Sequence, residues 1–124
     1  MENKKIEHFT DLNAWKEAHK LVLLVYKITE NFPDKERFGL INQLRRASVS
    51  TTSNIAEGFG RGTRNDKAHF YTIAKGSLFE TQNQVYIGKD LKYLNQNQFL
   101  EFEQQADVVS RLITGLRRAA MDRK

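Results

Sequence analysis

Apolar side chains recur at three- and four-residue intervals through four long stretches of the chain, each bounded by residues that start or stop helices. The first, about 12–31, sets Leu12, Trp15, His19, Val22, Leu23 and Tyr26 on one face, with Thr10 or Asp11 placed to accept the free N–H groups of its first turn. Pro33 disfavours helix at Phe32, and Asp34 predicts the cap of a second helix over about 35–58, with Glu36 in its first turn. Its stripe is Ile41, Leu44, Ser48, Thr51, Ile55 and Phe59, so the middle turns carry small hydroxyl residues where apolar ones are expected and a neighbouring helix can come close. Three glycines in Gly58-Phe59-Gly60-Arg61-Gly62 then permit left-handed backbone conformations that end helices.

Asn65 predicts the cap of a third helix over about 66–93, with Phe70, Ala74, Ser77, Thr81, Val85, Gly88 and Leu91 inward. After a turn at Asn95-Gln96-Asn97, a fourth runs over about 98–120, with Phe102, Ala106, Val109, Ile113, Leu116 and Ala120 inward. Helices of roughly 30 to 43 Å joined by short connections must run antiparallel to their chain neighbours. The expected fold is all-α, a single domain over 1–124 built as an up-down-up-down antiparallel four-helix bundle. Apolar residues outside these stripes suggest a further covered surface. Leu21, Leu24 and Ile28 lie away from Leu12 and Trp15, and Phe79, Tyr86 and Tyr93 recur every seven residues nearly opposite Phe70 and Thr81. Either a thick bundle buries these residues itself, or copies of the chain associate through them.

The composition narrows the chemistry. The 124 residues include no cysteine, which excludes disulfides, thiolate nucleophiles and thiolate metal sites and fits a reducing cytoplasm. The longest apolar run, Leu21 to Tyr26, is far short of the roughly 20 residues of a membrane span, and the polar start Met1-Glu2-Asn3-Lys4-Lys5 does not suggest an export signal. Lys and Arg number 20 against 15 Asp and Glu, a net charge of +5 that makes polyanions plausible partners.

His8, His19 and His69 have no spacing that would hold a metal. Glu57 and Glu80 lack the Glu-x-x-His motif of a bundle metal site, which leaves them to pair with arginines such as Arg45 or Arg46, or with hydroxyls; no cofactor is implied. The run Ser48-Val49-Ser50-Thr51-Thr52-Ser53-Asn54 has no neighbouring base to activate a hydroxyl, so its hydroxyls are expected to bond back to helix carbonyls. The glycine loop lacks the spacing of a nucleotide-binding loop. It does carry Arg61 and Arg64 beside the start of the third helix, a setting that favours an anion. With Lys75, and with Arg111 and Arg118 on the outer side of the fourth helix, these cations form the candidate phosphate-contacting set. Arg117, Arg123 and Lys124 add charge near Arg118.

Four strings carry a resemblance: 9–18 (Phe-Thr-Asp-Leu-Asn-Ala-Trp-Lys-Glu-Ala), 43–47 (Gln-Leu-Arg-Arg-Ala), 54–61 (Asn-Ile-Ala-Glu-Gly-Phe-Gly-Arg) and 74–82 (Ala-Lys-Gly-Ser-Leu-Phe-Glu-Thr-Gln). In order and spacing they resemble the four-helix bundle family of proteins encoded in intervening sequences of bacterial 23S rRNA genes, over residues 9 to about 120. Asn54, Glu57, Gly58, Gly60 and Arg61 match the family's Asn-Ile-Ala-Glu-Gly-x-Gly-Arg motif. The chain has Ser50-Thr51-Thr52-Ser53-Asn54 where the family usually reads Ser-Ile-Pro-Ser-Asn, so a proline kink in the second helix is not expected. It has Leu78-Phe79-Glu80-Thr81-Gln82 where the family reads Glu-Leu-Glu-Thr-Gln, which removes the first carboxylate. The resemblance implies a left-handed bundle assembling into a ring-like homo-oligomer, often a pentamer. It also implies likeness to the accessory protein of diversity-generating retroelements, a nucleic-acid binder, and no enzymatic activity. A nucleic-acid-binding oligomer is therefore the leading expectation; a protein-interaction scaffold without nucleic acid is the alternative.

Overall fold

Positions four and then three residues apart are filled by small or apolar side chains along every helix of the protein, and this alternation sets how the helices meet. The computed structural model describes residues 5–122. Among these are four helices, α1 (Asn13–Thr29), α2 (Leu40–Phe59), α3 (Arg64–Asp90) and α4 (Gln96–Asp122), two 3-10 turns (Phe9–Asp11 and Asp34–Glu36) and no strand. Each helix packs on its chain neighbours, and α1 closes against α4. Across α2 and α3, Gln43 meets Gln84, Ser50 meets Ser77 and Gly58 meets Tyr71. Across α3 and α4, Thr72 meets Arg117, Lys75 meets Thr114 and Gln82 meets Glu103. In both series one number rises as the other falls, so these neighbours are antiparallel.

In α1 the buried positions are Ala14, Ala18, Leu21, Val22, Val25, Ile28 and Thr29. This corrects the expected face. Val22 is buried and Leu12 and Trp15 are half-buried against the core, but His19, Leu23 and Tyr26 are exposed. Leu21 and Ile28, offered above either to a thick bundle or to a contact between copies, belong to the core of a single chain and not to a surface between copies: α1 is flanked by both α2 and α4, so its buried arc is wide. Leu24 and Tyr93 are half-buried against that core, whereas Phe79 and Tyr86 stay 55% and 47% exposed. In α3 the core positions are Tyr71, Ala74, Leu78, Thr81, Val85 and Gly88, while Phe70 is half-buried and Leu91 exposed. In α4, Phe102, Ala106, Val109, Ile113 and Ala120 are buried as the pattern predicts. Burying a leucine- or phenylalanine-sized side chain contributes about 1.5 to 3 kcal/mol.

The contact between α2 and α3 is the most extensive in the bundle and is built from the smallest residues. Ser48, Thr51, Ser77 and Thr81 are buried, and three of them donate to carbonyls of their own helix: Ser48 Oγ to Arg45 O (3.0 Å), Thr51 Oγ1 to Ala47 O (3.2 Å) and Thr81 Oγ1 to Ser77 O (2.8 Å). Ser50 Oγ and Ser77 Oγ bond each other across the seam at 2.9 Å. The hydroxyls are thus satisfied without bulk. At one end of the seam Gly58 lies so close to Tyr71 that an added Cβ would sit 2.6 Å from its ring, and Gly88 stands in the same relation to Phe32 at 2.9 Å.

Several boundaries differ from the sequence expectation. The first turn of the described chain is a 3-10 turn closed by a capping box, in which His8 Nδ1 accepts from Thr10 N and Asp11 Oδ2 accepts from His8 N; Leu12 is then extended and α1 starts at Asn13. α2 begins at Leu40 and not near 35, because Asp34–Glu36 forms its own turn and Glu36 Oε1 accepts from Leu40 N (3.2 Å). Thr63, not Asn65, caps α3, its Oγ1 accepting from Asp66 N (3.1 Å). None of the glycines takes a positive φ; Gly60 ends α2 in a right-handed helical conformation, and Lys67 Nζ donates to the carbonyls of Gly58 and Phe59 in the last turn of α2. Among the described residues the left-handed one is Lys92 (φ 66°), in a helix-ending motif where Tyr93 N donates to Gly88 O and Lys92 N to Lys89 O. Asn95 and Gln98 cap α4 reciprocally.

The glycines separate packing from backbone freedom. Gly58→Ala should destabilise the protein by about 1 to 3 kcal/mol through overpacking against the buried Tyr71 ring. Gly76→Ala and Gly115→Ala, mid-helix with open space around the added Cβ, should each stabilise by about 0.5 to 1 kcal/mol. Denaturant unfolding followed by circular dichroism checks both signs.

Candidate nucleic-acid interface

The five cations singled out in the sequence do not form one patch. Lys75, near the middle of α3, reaches across to α4, where Nζ donates to Ser110 O (2.9 Å) and to Thr114 Oγ1; partial burial lowers its pKa below the ordinary lysine range. A cation held this way ties two helices together and is poorly placed to meet a polyanion. Arg111 pairs with Asp107 one turn earlier on α4 (2.9 Å), an exposed contact that contributes little.

The other three gather at one end of the bundle. Arg64 starts α3, and its guanidinium contacts Met121 O in the last turn of α4 (3.5 Å), which brings that turn and the nearby, exposed Arg118 to the same end as the α2–α3 loop. Arg61 on that loop lies over Phe70, its Cζ 4.4 Å from the ring centroid, and pairs with Glu57 at 2.9 Å. Arg117, which the sequence offered only as added charge, donates to Thr72 Oγ1 (2.9 Å) at the same end, and Lys67 caps α2 there. Asp66 in the first turn of α3, Glu57 near the end of α2 and Asp122 in the last turn of α4 are acidic residues at the same end. Arg123 and Lys124 lie outside the described residues.

The motif residues have structural work within the chain. Asn54 Nδ2 donates to Ser50 O (2.8 Å) and Ser50 Oγ (3.1 Å), Glu57 holds Arg61, Gly58 admits Tyr71 and Gly60 terminates α2. Of the acidic residues expected to pair with Arg45 or Arg46, Glu57 takes Arg61 instead, and Glu80 makes no ion pair among the described residues. Arg45 covers the Tyr26 ring at 4.5 Å and donates to Thr29 Oγ1. His8 caps a turn, His19 stacks on Trp15 with centroids 4.7 Å apart and His69 meets Phe70 edge-on. Among the described residues no group of His, Asp and Glu is arranged to hold a metal ion, and no helix is long and apolar enough to cross a membrane.

Of the residues assigned to contacts between copies, Phe79 and Tyr86 lie on the side of α3 that faces α4. Tyr86 Oη donates to Glu103 Oε1, a bond that raises the tyrosine pKa, and Phe79 stands 5.9 Å from Lys75 Nζ. Leu23 and Phe38, 57% and 88% exposed, are apolar surface that the periodicity argument missed. Leu23 was misplaced in the core and Phe38 sits in a connection that pattern reasoning reads as helix.

Comparison with known proteins follows the same outline. The model of the 23S rRNA-intervening sequence protein family matches residues 10–115. A crystal structure of a protein of unknown function from the S23 ribosomal protein family, from Bacteroides thetaiotaomicron, superposes with a TM-score of 0.75 at 18% identity, over 85% of this chain and 98% of that one. At that identity the likeness is one of fold. No curated protein matches the chain.

The two kinds of cation are separable by stability. Lys75→Met, which removes a bridge between α3 and α4, should cost about 1 kcal/mol. Arg111→Met, which removes only an exposed pair, should change stability by less than about 0.5 kcal/mol in the same unfolding experiment.

Proposed function

We propose that this chain, which belongs to the 23S rRNA-intervening sequence protein family, is a non-enzymatic bundle that binds the phosphate backbone of RNA or DNA through the end carrying Arg61, Arg64 and Arg118. The observation that supports this most is the contact of Arg64 with Met121 O, since it gathers cations from three separate segments at one end of a chain whose net charge is +5. Lys75 and Arg111 drop out of the set expected from the sequence, because Lys75 is engaged between α3 and α4 and Arg111, next to the Ser110 that Lys75 contacts, stands level with it and away from that end. Arginine suits the role: its planar fork matches phosphate geometry, and Arg61 is already held in place by Phe70.

A self-associating protein scaffold is the second reading, favoured by the exposure of Phe38, Leu23 and Phe79. A ring of copies, five by resemblance, would repeat the basic end and add weak contacts together. The two readings are compatible in one molecule and separable by experiment.

Binding of the purified protein to structured RNA and duplex DNA across a salt series tests the proposal. Log affinity should fall linearly with log salt, and Arg64→Gln or Arg118→Gln should each reduce the slope by about one per site, with Lys75→Gln leaving it unchanged. Absence of binding at about 50 mM salt, with an assembled mass by light scattering, would favour the scaffold instead.

A further inference from the structure

At the end of the bundle where α1 and α3 begin and α2 and α4 finish, the core opens into a pocket of about 460 Å³. Leu12 just before α1, Phe59 at the end of α2, and Leu116 and Ala120 late in α4 supply apolar walls, with the exposed Ala119 beside them. The volume lies in the range of small-molecule sites and is about three times that of a cavity that takes benzene.

One polar group of the lining has no partner. Tyr71 is 2% exposed, and among the described residues its hydroxyl forms no hydrogen bond. Burial raises its pKa above the ordinary tyrosine range, so the group stays a neutral phenol. Gln84 Oε1, the other buried oxygen without a donor or acceptor, is sealed inside the protein; Tyr71 Oη keeps accessible surface of its own, and Tyr71 lines this pocket. A hydroxyl in such a place has given up most of its hydration without return.

The rest of the lining defines what can meet it. Lys67 is the other polar residue there, and its Nζ is bonded to the carbonyls of Gly58 and Phe59. A water needs two to four polar partners, which one hydroxyl and one already bonded ammonium do not supply. A charged ligand would shed its own hydration against apolar walls without gaining an unpartnered counter-charge. An apolar body bearing one neutral oxygen meets both conditions, since its carbon covers the walls and its oxygen serves the hydroxyl.

We propose that this pocket binds a neutral hydrocarbon of about eight carbons carrying a single oxygen, a medium-chain alcohol or ketone. The oxygen accepts from Tyr71 Oη, and the carbon body covers Leu12, Phe59 and Leu116.

Titration of the isotopically labelled full-length protein with 1-octanol, followed by NMR, tests this site without any nucleic acid. The methyl resonances of Leu12 and Leu116 should shift saturably, with a Kd between about 0.1 and 1 mM. Octanoate, of the same length but charged, should bind at least about tenfold more weakly. Tyr71→Phe should weaken 1-octanol by about fivefold, the loss of one hydrogen bond, and leave the binding of toluene, which has no oxygen, unchanged. Ala119→Trp, at an exposed helical position beside the pocket, should abolish the shifts with helix content unchanged. The proposal is overturned if 1-octanol gives no saturable shift at those methyls, if octanoate binds as tightly, or if Tyr71→Phe binds 1-octanol as the parent chain does or loses toluene equally.

Discussion

The close approach of α2 and α3 is the constraint from which the rest of the bundle follows. Two helices can come this near only where side chains between them are small, and here the middle of the seam is Ser48, Thr51, Ser77 and Thr81, with Gly58 against Tyr71 at one end. Hydroxyls are a costly choice for a core unless each finds a partner. In this seam they bond to carbonyls one turn back or to each other, so the polar cost is met locally and volume stays low. The larger side chains are displaced toward α1 and α4, where Leu21, Val25, Phe102 and Ile113 fill the core.

The same geometry sorts the charges. With α2 and α3 locked in register, the loop between them is only four residues long; Arg64 is fixed beside the last turn of α4, and Arg61 is held between Glu57 and Phe70. Lys67 closes the end of α2, and Lys75 spans to α4 further along α3. Basic residues that look equivalent in sequence thus divide into those that hold helices together and those presented at one end. The family motif supports the second group: Asn54, Glu57, Gly58 and Gly60 shape the end of α2, and this positions Arg61.

Helix number, order and type were legible because each helix carries several turns of 3–4 alternation and the breaks contain Pro33, the glycine loop or Asn95. The phase of α1 was not. Ala14 and Ala18 weigh little in a hydropathy reading, whereas Trp15, Leu23 and Tyr26 dominate it, so the inferred stripe was turned toward the large residues and Leu21 and Ile28 were placed outside. Phe70 and Leu91 drew the α3 stripe aside in the same way, at the expense of Tyr71 and Leu78. Gly58 illustrates a different limit. The sequence marks it as a helix breaker through backbone freedom, but it serves by having no side chain, which only the position of Tyr71 reveals. The engagement of Lys75 was equally invisible, since Ser110 and Thr114 are 35 and 39 residues away in the chain.

Native-state hydrogen exchange would test the primacy of the α2–α3 seam most directly, since amides that open only on global unfolding mark the part on which everything else depends. The slowest exchange should map to the facing turns of α2 and α3 around Thr51, Ser77 and Thr81, with amides of α1 and α4 opening at lower free energy. Slowest exchange in α1 and α4, with the α2–α3 turns opening earlier, would contradict the account.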